Sequence, residues 1–383
     1  MKRRPTTLVI ANIAWDFAWQ RHQTLASLFA RDSEVVFCEV PGIRRLRVGD
    51  AARVLARWRE LRGQQRTTTP VPAGLRIARP WLLPATNRAC CALNARLIAR
   101  WLAREPDIAA GVDLIWNYSP SRSARELIAR VPHRRLACDW TDDWLAVRGI
   151  PAFLAEDERA LLAAADLTLV PSRALAERKG PLARRLERVP HGALVERFLV
   201  EPRLRAADEP VRLLYYGHLL AQHFDFAAMD TLARARPAWR IMLVGPVKTP
   251  HAFPPNVELA GPQPHERLRE FVRTADGLLL PYALNDYTRA VLPAKIYECL
   301  ATGRPIVAAP LPELAEFSAH LRFAAGPEEW ATAVEAALAA DTPAGREARI
   351  ALARANTWES RYARIRALLG ERDAPGVSGR AGG

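Results

Sequence analysis

The stretch RAVLPAKIYECLATGRPIVA, residues 289–308, decides the fold. Its helix-like run ends at a Gly-Arg-Pro turn, and the apolar segment after that turn is a predicted strand. Lys295 and Glu298 stand three residues apart, so they share one face of the predicted helix. One interpretation is a solvated ion pair on a surface helix. The other is a nucleotide site, in which the cation neutralises phosphate and the carboxylate binds ribose hydroxyls.

Short apolar strands alternate with helical stretches on both sides of this motif. The alternation predicts the α/β fold class, with two Rossmann-like doubly wound domains that face each other across a cleft. The predicted strands of the first half are TTLVIANI, EVVFCEV, DLIWNYS, RRLACDW and DLTLVPS. Those of the second half are VRLLYYG, RIMLVGP, NVELAG, GLLLPY and PIVAAP.

Proline-rich and charged sequence near residue 200 predicts the boundary between the domains. We expect one domain over residues 1–200 and the other over 201–355. A helix within 356–370 is expected to return to the first domain. The small, Gly-rich tail 371–383 is predicted to be disordered.

The composition is that of a globular protein, with 50% apolar and 25% charged residues among 383. No uninterrupted apolar run reaches the roughly 18 residues of a membrane-spanning helix. The basic start is followed by an apolar segment that Asn12 and Asp16 interrupt, so 8–13 is predicted to be a strand rather than a signal peptide. Five cysteines without CxxC spacing indicate free thiols in a reducing cytosol.

The positive charge is concentrated in the first part of the chain. Residues 1–105 hold 19 Lys and Arg against 7 Asp and Glu, which is +12 of the net +14. Such a balance predicts a nucleic acid, an anionic lipid or a phosphorylated substrate as partner. Residues 51–62 read as a basic amphipathic helix with Trp58 on its apolar face and Arg53, Arg57 and Arg62 at its flanks. Both a membrane-surface helix and an ordinary helix packed on the core fit this pattern.

Several motifs occur together in the second half: a strand ending in Gly, P-x-W-x-x-x-L-V-G-P, N-V-x-L-x-G, a strand ending in Pro-Tyr, and P-x-K-x-Y-E-x-L-A-x-G-x-P-I-V. This order resembles the donor half of GT-B glycosyltransferases, in particular the bacterial family-4-like group of teichuronic acid and exopolysaccharide synthesis. In the first half WDFAWQRHQ, DWTDDW and VPHGALVERF resemble elements of the same group. The resemblance covers residues 6–366.

The resemblance implies that 201–355 binds a nucleotide-sugar donor and that 1–200 binds the acceptor. Glu298 would hold the ribose, and Lys295 and Arg289 would neutralise the diphosphate beside the loop of Gly217 and His218. Two departures stand out. Ala290 occupies the position of a second glutamate, and GHLLAQHF replaces a loop that carries an Arg and a Lys. Retention of anomeric configuration is therefore not carried over.

Acceptor chemistry needs a group that orients or deprotonates a hydroxyl. Candidates follow two predicted strands of the first half: Asp16, Arg21 and His22 after the first, and Asp139, Asp142 and Asp143 in DWTDDW. We expect Asp142 to be catalytic, with Asp143, Asp16 and His22 as alternatives. Trp140 and Trp144 would pack on sugar rings. An acidic cluster that stabilises a helix N-terminus is the competing interpretation.

The resemblance implies a hexosyltransferase that moves a sugar from a nucleotide-sugar to a hydroxyl of a cell-surface polysaccharide or lipid-linked glycan. We expect no cofactor, no essential metal and a cytoplasmic location, with contact to an anionic membrane surface as an open question. A nucleotide-sugar epimerase of the same shape is the alternative enzyme. A nucleic-acid partner is not expected, because the basic residues do not alternate with aromatic residues as a stacking surface requires.

Overall fold

The computed structural model describes residues 4–17, 19–41, 67, 69–146, 150–206 and 208–370. Its first sheet has seven parallel strands in the order β3-β2-β1-β4-β5-β6-β7. The order reverses between β1 and β4, which makes that position a topological switch point. The strands are β1 Thr6–Ala11, β2 Glu34–Glu39, β3 Leu75–Ala78, β4 Val112–Asn117, β5 His133–Asp139, β6 Leu167–Val170 and β7 Leu186–Arg188.

The second sheet has six parallel strands in the order β10-β9-β8-β11-β12-β13. Its switch point lies between β8 and β11. The strands are β8 Arg212–Tyr216, β9 Arg240–Val244, β10 Val257–Gly261, β11 Gly277–Leu280, β12 Ile306–Ala308 and β13 Arg322–Phe323.

Helices cover both faces of each sheet. In the first half they are α1 Arg21–Phe29, α2 Arg88–Leu102, α3 Pro106–Ala109, α4 Arg122–Arg130, α5 Leu154–Ala164, α6 Arg173–Lys179 and α7 Val195–Phe198. In the second half they are α8 Phe226–Ala235, α9 Leu268–Thr274, α10 Ile296–Ala301, α11 Trp330–Ala339, α12 Pro343–Arg354 and α13 Trp358–Leu368.

Each strand sends alternate side chains into two separate cores, as the pleat of a sheet requires. In β1, Leu8 and Ile10 pack into one core of the first sheet, and Val9 into the core on its other face. In β8, Leu213 and Leu214 are divided between the two cores of the second sheet in the same way. Both faces being apolar explains why these strands read as continuous hydrophobic runs.

The last helix, α13, packs on the first sheet although it follows the second in sequence. Its Trp358 and Ile365 are buried in the same core as Val9. Gly192 marks the closest approach, since a Cβ there would stand 2.7 Å from the backbone nitrogen of Trp358. The chain therefore crosses between the two domains twice.

Contacts between side chains also join the domains. The buried carboxylate of Glu313 accepts hydrogen bonds from the backbone N–H groups of Arg173 (2.9 Å) and Ala174 (2.8 Å), at the start of α6. Glu316 accepts from the guanidinium groups of Arg173 (3.0 Å) and Arg188. A carboxylate at a helix N-terminus satisfies donors that have no partner within the helix.

The predicted α/β class with two doubly wound sheets is confirmed. The sequence interpretation missed β3, β7 and β13, which are short strands at or near sheet edges. It placed Lys295 inside the helix, whereas α10 begins at Ile296 and Lys295 is the residue before it. The segments 51–62 and 371–383 lie outside the described residues. Within the described ranges, no helix is long and apolar enough to cross a membrane.

Candidate active site

The loops after the strands of both sheets meet at one cleft. Phe17, in the loop after β1, has its ring centroid 5.9 Å from that of His218, in the loop after β8. Tyr287, which follows β11, donates a hydrogen bond to Asp142, which follows β5. The carboxyl ends of the strands next to the switch points are where ligands bind in open α/β sheets.

Gly217 allows the first loop of the second domain to lie close against its neighbours. Its φ is +146°, and an added Cβ would collide with the Lys295 ammonium and stand 2.7 Å from the Tyr215 hydroxyl. Gly245, after β9, has a φ of +139°, and a Cβ there would collide with the Gly217 carbonyl oxygen. Only glycine fits both positions, so this loop packs directly against Lys295 on one side and the Gly245 backbone on the other.

Lys295 lies beneath this loop, partly buried. Its Nζ donates to the carbonyl oxygen of Tyr216 and stands 4.5 Å from the Tyr215 ring centroid, a cation–π distance. Burial lowers the pKa of Lys295 to about 8, although Cys299 and Glu298 act in the opposite direction. A cation held at the carboxyl end of β8 is suited to neutralising an anionic ligand there.

Glu298, in the first turn of α10, is paired with a residue that sequence reasoning missed. His265 Nε2 lies 3.1 Å from Glu298 Oε1, and the His265 ring packs edge-on against Phe198 with centroids 5.3 Å apart. Burial lowers the pKa of His265, but the hydrogen bond and the charge of Glu298 outweigh it, so the net shift is upward. Its position in PQPHE, directly after the NVELAG strand, was the available signal.

Other cationic residues follow β8, β9 and β11, at the same end of the second sheet. His218 is partly buried, and its pKa is lowered by burial and by the charges of Lys295 and Lys248. Lys248 was not among the predicted residues, and its backbone N–H donates to the Leu219 carbonyl at 2.9 Å. Arg289 lies on the 3-10 turn Thr288–Ala290 and is exposed. His218 is therefore a poor cation at neutral pH, whereas the other groups are available for phosphate.

Asp142 is the acidic residue of DWTDDW that reaches the cleft. Its Oδ1 accepts from the Tyr287 hydroxyl at 2.6 Å, and its Oδ2 accepts from the Thr141 hydroxyl at 3.1 Å. The Tyr287 ring stacks on His223, with centroids 5.1 Å apart and planes 13° from parallel. The carboxylate is partly buried and oriented by groups from both domains.

Asp143, predicted as an alternative to Asp142, lies in a cluster of ion pairs. Its buried carboxylate lies 3.1 Å from the Lys179 ammonium and also pairs with Arg178. Two cations from α6 thus occupy it, and it stabilises the attachment of that helix. Trp140 does not offer its ring to a sugar, because it is fully buried and donates a hydrogen bond to Glu158. Trp144 packs, partly buried, against the same core.

His22, another predicted alternative to Asp142, is enclosed by its neighbours. Its ring is buried, with its centroid 3.9 Å from that of Tyr118, and burial together with the charge of Arg21 lowers its pKa to about 3. Arg21 and Asp139 form a fully buried ion pair, with Nε and Oδ2 2.7 Å apart. Their place at strand ends suggested chemistry, but burial makes them part of the framework beneath the cleft.

Asp16 stays at the cleft. It is exposed on the loop after β1, its Oδ1 accepts from the backbone N–H of Thr69 at 2.8 Å, and Arg79 lies 4.0 Å from its Oδ2. Among the residues that the structure describes, no group of three His, Cys, Asp or Glu side chains could hold a metal ion. Independence of metal is still a prediction.

Comparison with known proteins shows that the second domain is similar to glycosyltransferases. Residues 210–340, about a third of the chain, match the family model described as Glycosyl transferases group 1. TuaH of Bacillus subtilis, named as a teichuronic acid biosynthesis glycosyltransferase, is 32% identical over 95 residues. That alignment covers 23% of this chain and only 24% of TuaH.

Solved structures match over nearly the whole chain. Sucrose-phosphate synthase from Thermosynechococcus elongatus is 16% identical, with a TM-score of 0.69, over 96% of this chain and 98% of its own. Anabaena HepE in complex with UDP is 13% identical, with a TM-score of 0.65, over 96% and 99%. At such identity the likeness shows the fold alone. Fold and family match together confirm the resemblance to GT-B glycosyltransferases.

Proposed function

We propose that the protein transfers a sugar from a nucleotide-sugar bound by the second domain to a hydroxyl of a glycan or lipid-linked acceptor bound by the first. One observation carries the proposal. Lys295 lies beneath the Gly217 loop, and Glu298 is held by His265, all at the carboxyl ends of strands within the region that matches the family model. This arrangement offers a cation and a carboxylate to a single ligand.

The donor is proposed to bind with its ribose at Glu298 and its diphosphate at the Gly217 loop. A carboxylate accepts hydrogen bonds from two neighbouring hydroxyls, and bonds to a charged acceptor contribute about 1.5–3 kcal/mol each. Lys295, Arg289 and Lys248 would balance the diphosphate, and backbone N–H groups of the loop would add to them. The Anabaena structure that contains UDP makes uridine nucleotides the first donors to test.

The transfer step is proposed to use Asp142. An acceptor hydroxyl loses its proton to this carboxylate while its oxygen bonds to the anomeric carbon, and the bond from that carbon to the diphosphate breaks. The departing diphosphate carries the electron pair away and is stabilised by Lys295. Tyr287 and Thr141 each occupy one position on Asp142, so the carboxylate is fixed while it can still accept another hydrogen bond. With cations already present, we propose that no metal is needed.

The acceptor class is proposed from the relative. TuaH is named as a glycosyltransferase of teichuronic acid biosynthesis. A cell-surface polysaccharide or its lipid-linked precursor is therefore the proposed acceptor, and a hexose the proposed transferred group.

A transfer assay tests the proposal. Purified protein is incubated with sugar-labelled nucleotide-sugars, with and without a lipid extract of bacterial membranes, and label is followed into the lipid or glycan fraction. We expect transfer only when donor and acceptor are both present, and no transfer by Asp142→Asn. An isomeric nucleotide-sugar formed without acceptor would instead establish the epimerase. Absence of any reaction with UDP-, GDP- and ADP-sugars would contradict the proposal.

A further inference from the structure

The outer face of α2 carries an unusual set of side chains. Arg88, Arg96, Arg100 and, just past the helix end, Arg104 are all exposed, and so is Leu93, with 40% of its surface accessible. At 100° per residue these five positions fall on an arc of less than half of the helix circumference. The other residues that project within this arc are alanines. We call this face the α2 surface.

Among the residues that the structure describes, no carboxylate forms an ion pair with the four arginines of the α2 surface. The sequence of α2, RACCALNARLIARWL, contains neither Asp nor Glu. Some other arginines of the first domain do have such partners: Arg4 pairs with Glu34, and Arg125 pairs with Asp157. Four uncompensated guanidinium groups on one face create a strongly positive local potential.

An exposed tryptophan accompanies these charges. Trp81 has 45% of its surface accessible. The segment that carries it is fixed beside α2, because the Asn94 side chain accepts from the Leu83 N–H at 2.8 Å and donates to the Leu83 carbonyl at 2.7 Å. An exposed Leu among arginines suits the boundary between lipid headgroups and acyl chains, and Trp81 is a second exposed apolar side chain, on a segment attached to the same helix.

We propose that the α2 surface docks the protein on an anionic lipid membrane. Each Arg near an anionic bilayer contributes about 1 kcal/mol, which is roughly fivefold in affinity. The apolar side chains select lipid over nucleic acid, because binding of single-stranded nucleic acid needs a row of aromatic residues that this face lacks. The helix begins at the carboxyl end of the first sheet, which is the edge that forms the cleft.

This placement would bring the first domain, rather than the second, against the lipid surface. The docking proposal does not depend on transfer activity, because vesicle binding is measured without donor or acceptor. It also differs from docking through residues 51–62, which the sequence suggested, since a different helix carries it.

Co-sedimentation with vesicles of phosphatidylcholine containing about a third phosphatidylglycerol tests the proposal. Wild type should bind these vesicles but not pure phosphatidylcholine, and binding should weaken as salt rises. Replacing Arg96, Arg100 and Arg104 by Ser should weaken binding on the order of a hundredfold, from roughly fivefold for each charge. The double substitution Leu93→Ser and Trp81→Ser should weaken vesicle binding at high salt, because salt screens the electrostatic attraction and leaves the insertion of apolar side chains as the main contribution.

The matched control removes three exposed arginines of the second domain: Arg240, Arg322 and Arg354, each replaced by Ser. It should bind vesicles as wild type does. Thermal melting and donor affinity, measured without vesicles, should be the same for all variants. Equal loss in the control, wild-type binding by the α2 variant, no vesicle binding at all, or tighter binding to DNA than to vesicles would each overturn the proposal.

Discussion

Lys295 and Glu298 are three residues apart, yet the fold directs their charges to different neighbours. The lysine turns back beneath the Gly217 loop, and the carboxylate turns to His265. A partly buried lysine whose pKa falls to about 8 is costly to the fold, because burial penalises its charged form. In the proposed complex Lys295 would neutralise the diphosphate, and Glu298 would accept hydrogen bonds from the ribose hydroxyls.

His265 should act through Glu298. His265→Ala frees the carboxylate to rotate, so we expect donor affinity to fall by about three- to tenfold, the value of one hydrogen bond. In a Glu298→Ala background the same change should have almost no further effect, since residues in contact are not additive. Donor affinities of the four proteins form the double-mutant cycle. Additive losses would show that His265 contacts the nucleotide independently of Glu298.

Donor binding should depend on pH through Lys295. The ammonium form, present below pH 8, attracts the diphosphate, so donor affinity should fall as pH rises from about 7.5 to 9.5. Lys295→Met should bind donor about ten- to a hundredfold more weakly at pH 7, by the loss of a charged hydrogen bond, and its affinity should no longer follow this pH profile.

The same substitution should raise stability. The folded pKa lies below the usual 10.5, so the unfolded chain binds more protons, and the free energy of unfolding of wild type rises with pH between about 8 and 10.5. Lys295→Met removes that penalty, and its melting temperature at pH 7 should exceed that of wild type. A variant that is both less stable and unchanged in donor binding would assign Lys295 a structural role only.

At the scale of elements, the carboxylates at the end of β5 and in the loop after it have two kinds of surroundings: two are buried in ion pairs, and one lies at the cleft. Asp139 ends the strand in a fully buried ion pair with Arg21, and Asp143 is held by two cations of α6. Asp142, between them in the chain, is directed outward to Tyr287 of the other domain. The two outer carboxylates fix the loop, and the middle one is presented to the cleft.

Asp142→Asn should abolish transfer while donor binding persists. The amide keeps the shape and a hydrogen bond but is not basic, so turnover should fall by roughly a hundred- to ten-thousandfold. Tyr287→Phe removes the other half of the contact between the domains and should retain most of the turnover. If the two variants lose turnover equally, Asp142 only joins the domains. Asp139→Asn is the control for a purely structural effect. It breaks the buried pair with Arg21 and should lower the free energy of unfolding by about 3–5 kcal/mol.

The whole molecule is two doubly wound domains held together by a few specific contacts and by the return of α13 to the first sheet. Glu313 is central to these contacts, because it caps a helix of the other domain with two hydrogen bonds. The relative position of the two domains therefore depends on these side chains as well as on the path of the backbone.

Glu313→Ala should lower the free energy of unfolding by about 1–3 kcal/mol, through loss of a cap and of buried charged hydrogen bonds. Donor affinity should stay within twofold of wild type. Glu335→Ala is the matched control, because it removes an exposed pair with Arg236 and should change stability by less than about 1 kcal/mol. Chemical denaturation of both variants measures the difference. Equal stabilities would mean that Glu313 does not join the domains in solution.

Much of this organisation could be predicted from sequence, because strand-helix alternation and the motif around Lys295 and Glu298 are contiguous in the chain. His265, Lys248 and Tyr287 were missed, since each reaches the cleft from a separate loop and carries no spacing signal of its own. Asp143 and His22 were predicted as alternatives to Asp142, and the structure places both among buried framework contacts. A strand end shows that a residue is near the cleft, but the ion pairs and burial that remove it from chemistry arise from packing between distant helices.

The central claim is that nucleotide-sugar binds to Lys295 and Glu298 in the second domain, while Asp142 acts on the acceptor from the first. Calorimetric titration with UDP, GDP, ADP and their glucose conjugates, on wild type, Glu298→Ala and Asp142→Asn side by side, tests it most directly. We predict that at least one nucleotide binds wild type, that Glu298→Ala weakens it by about ten- to a hundredfold, and that Asp142→Asn changes it by less than about threefold. Absence of binding by every nucleotide, or equal weakening in both variants, would contradict the account.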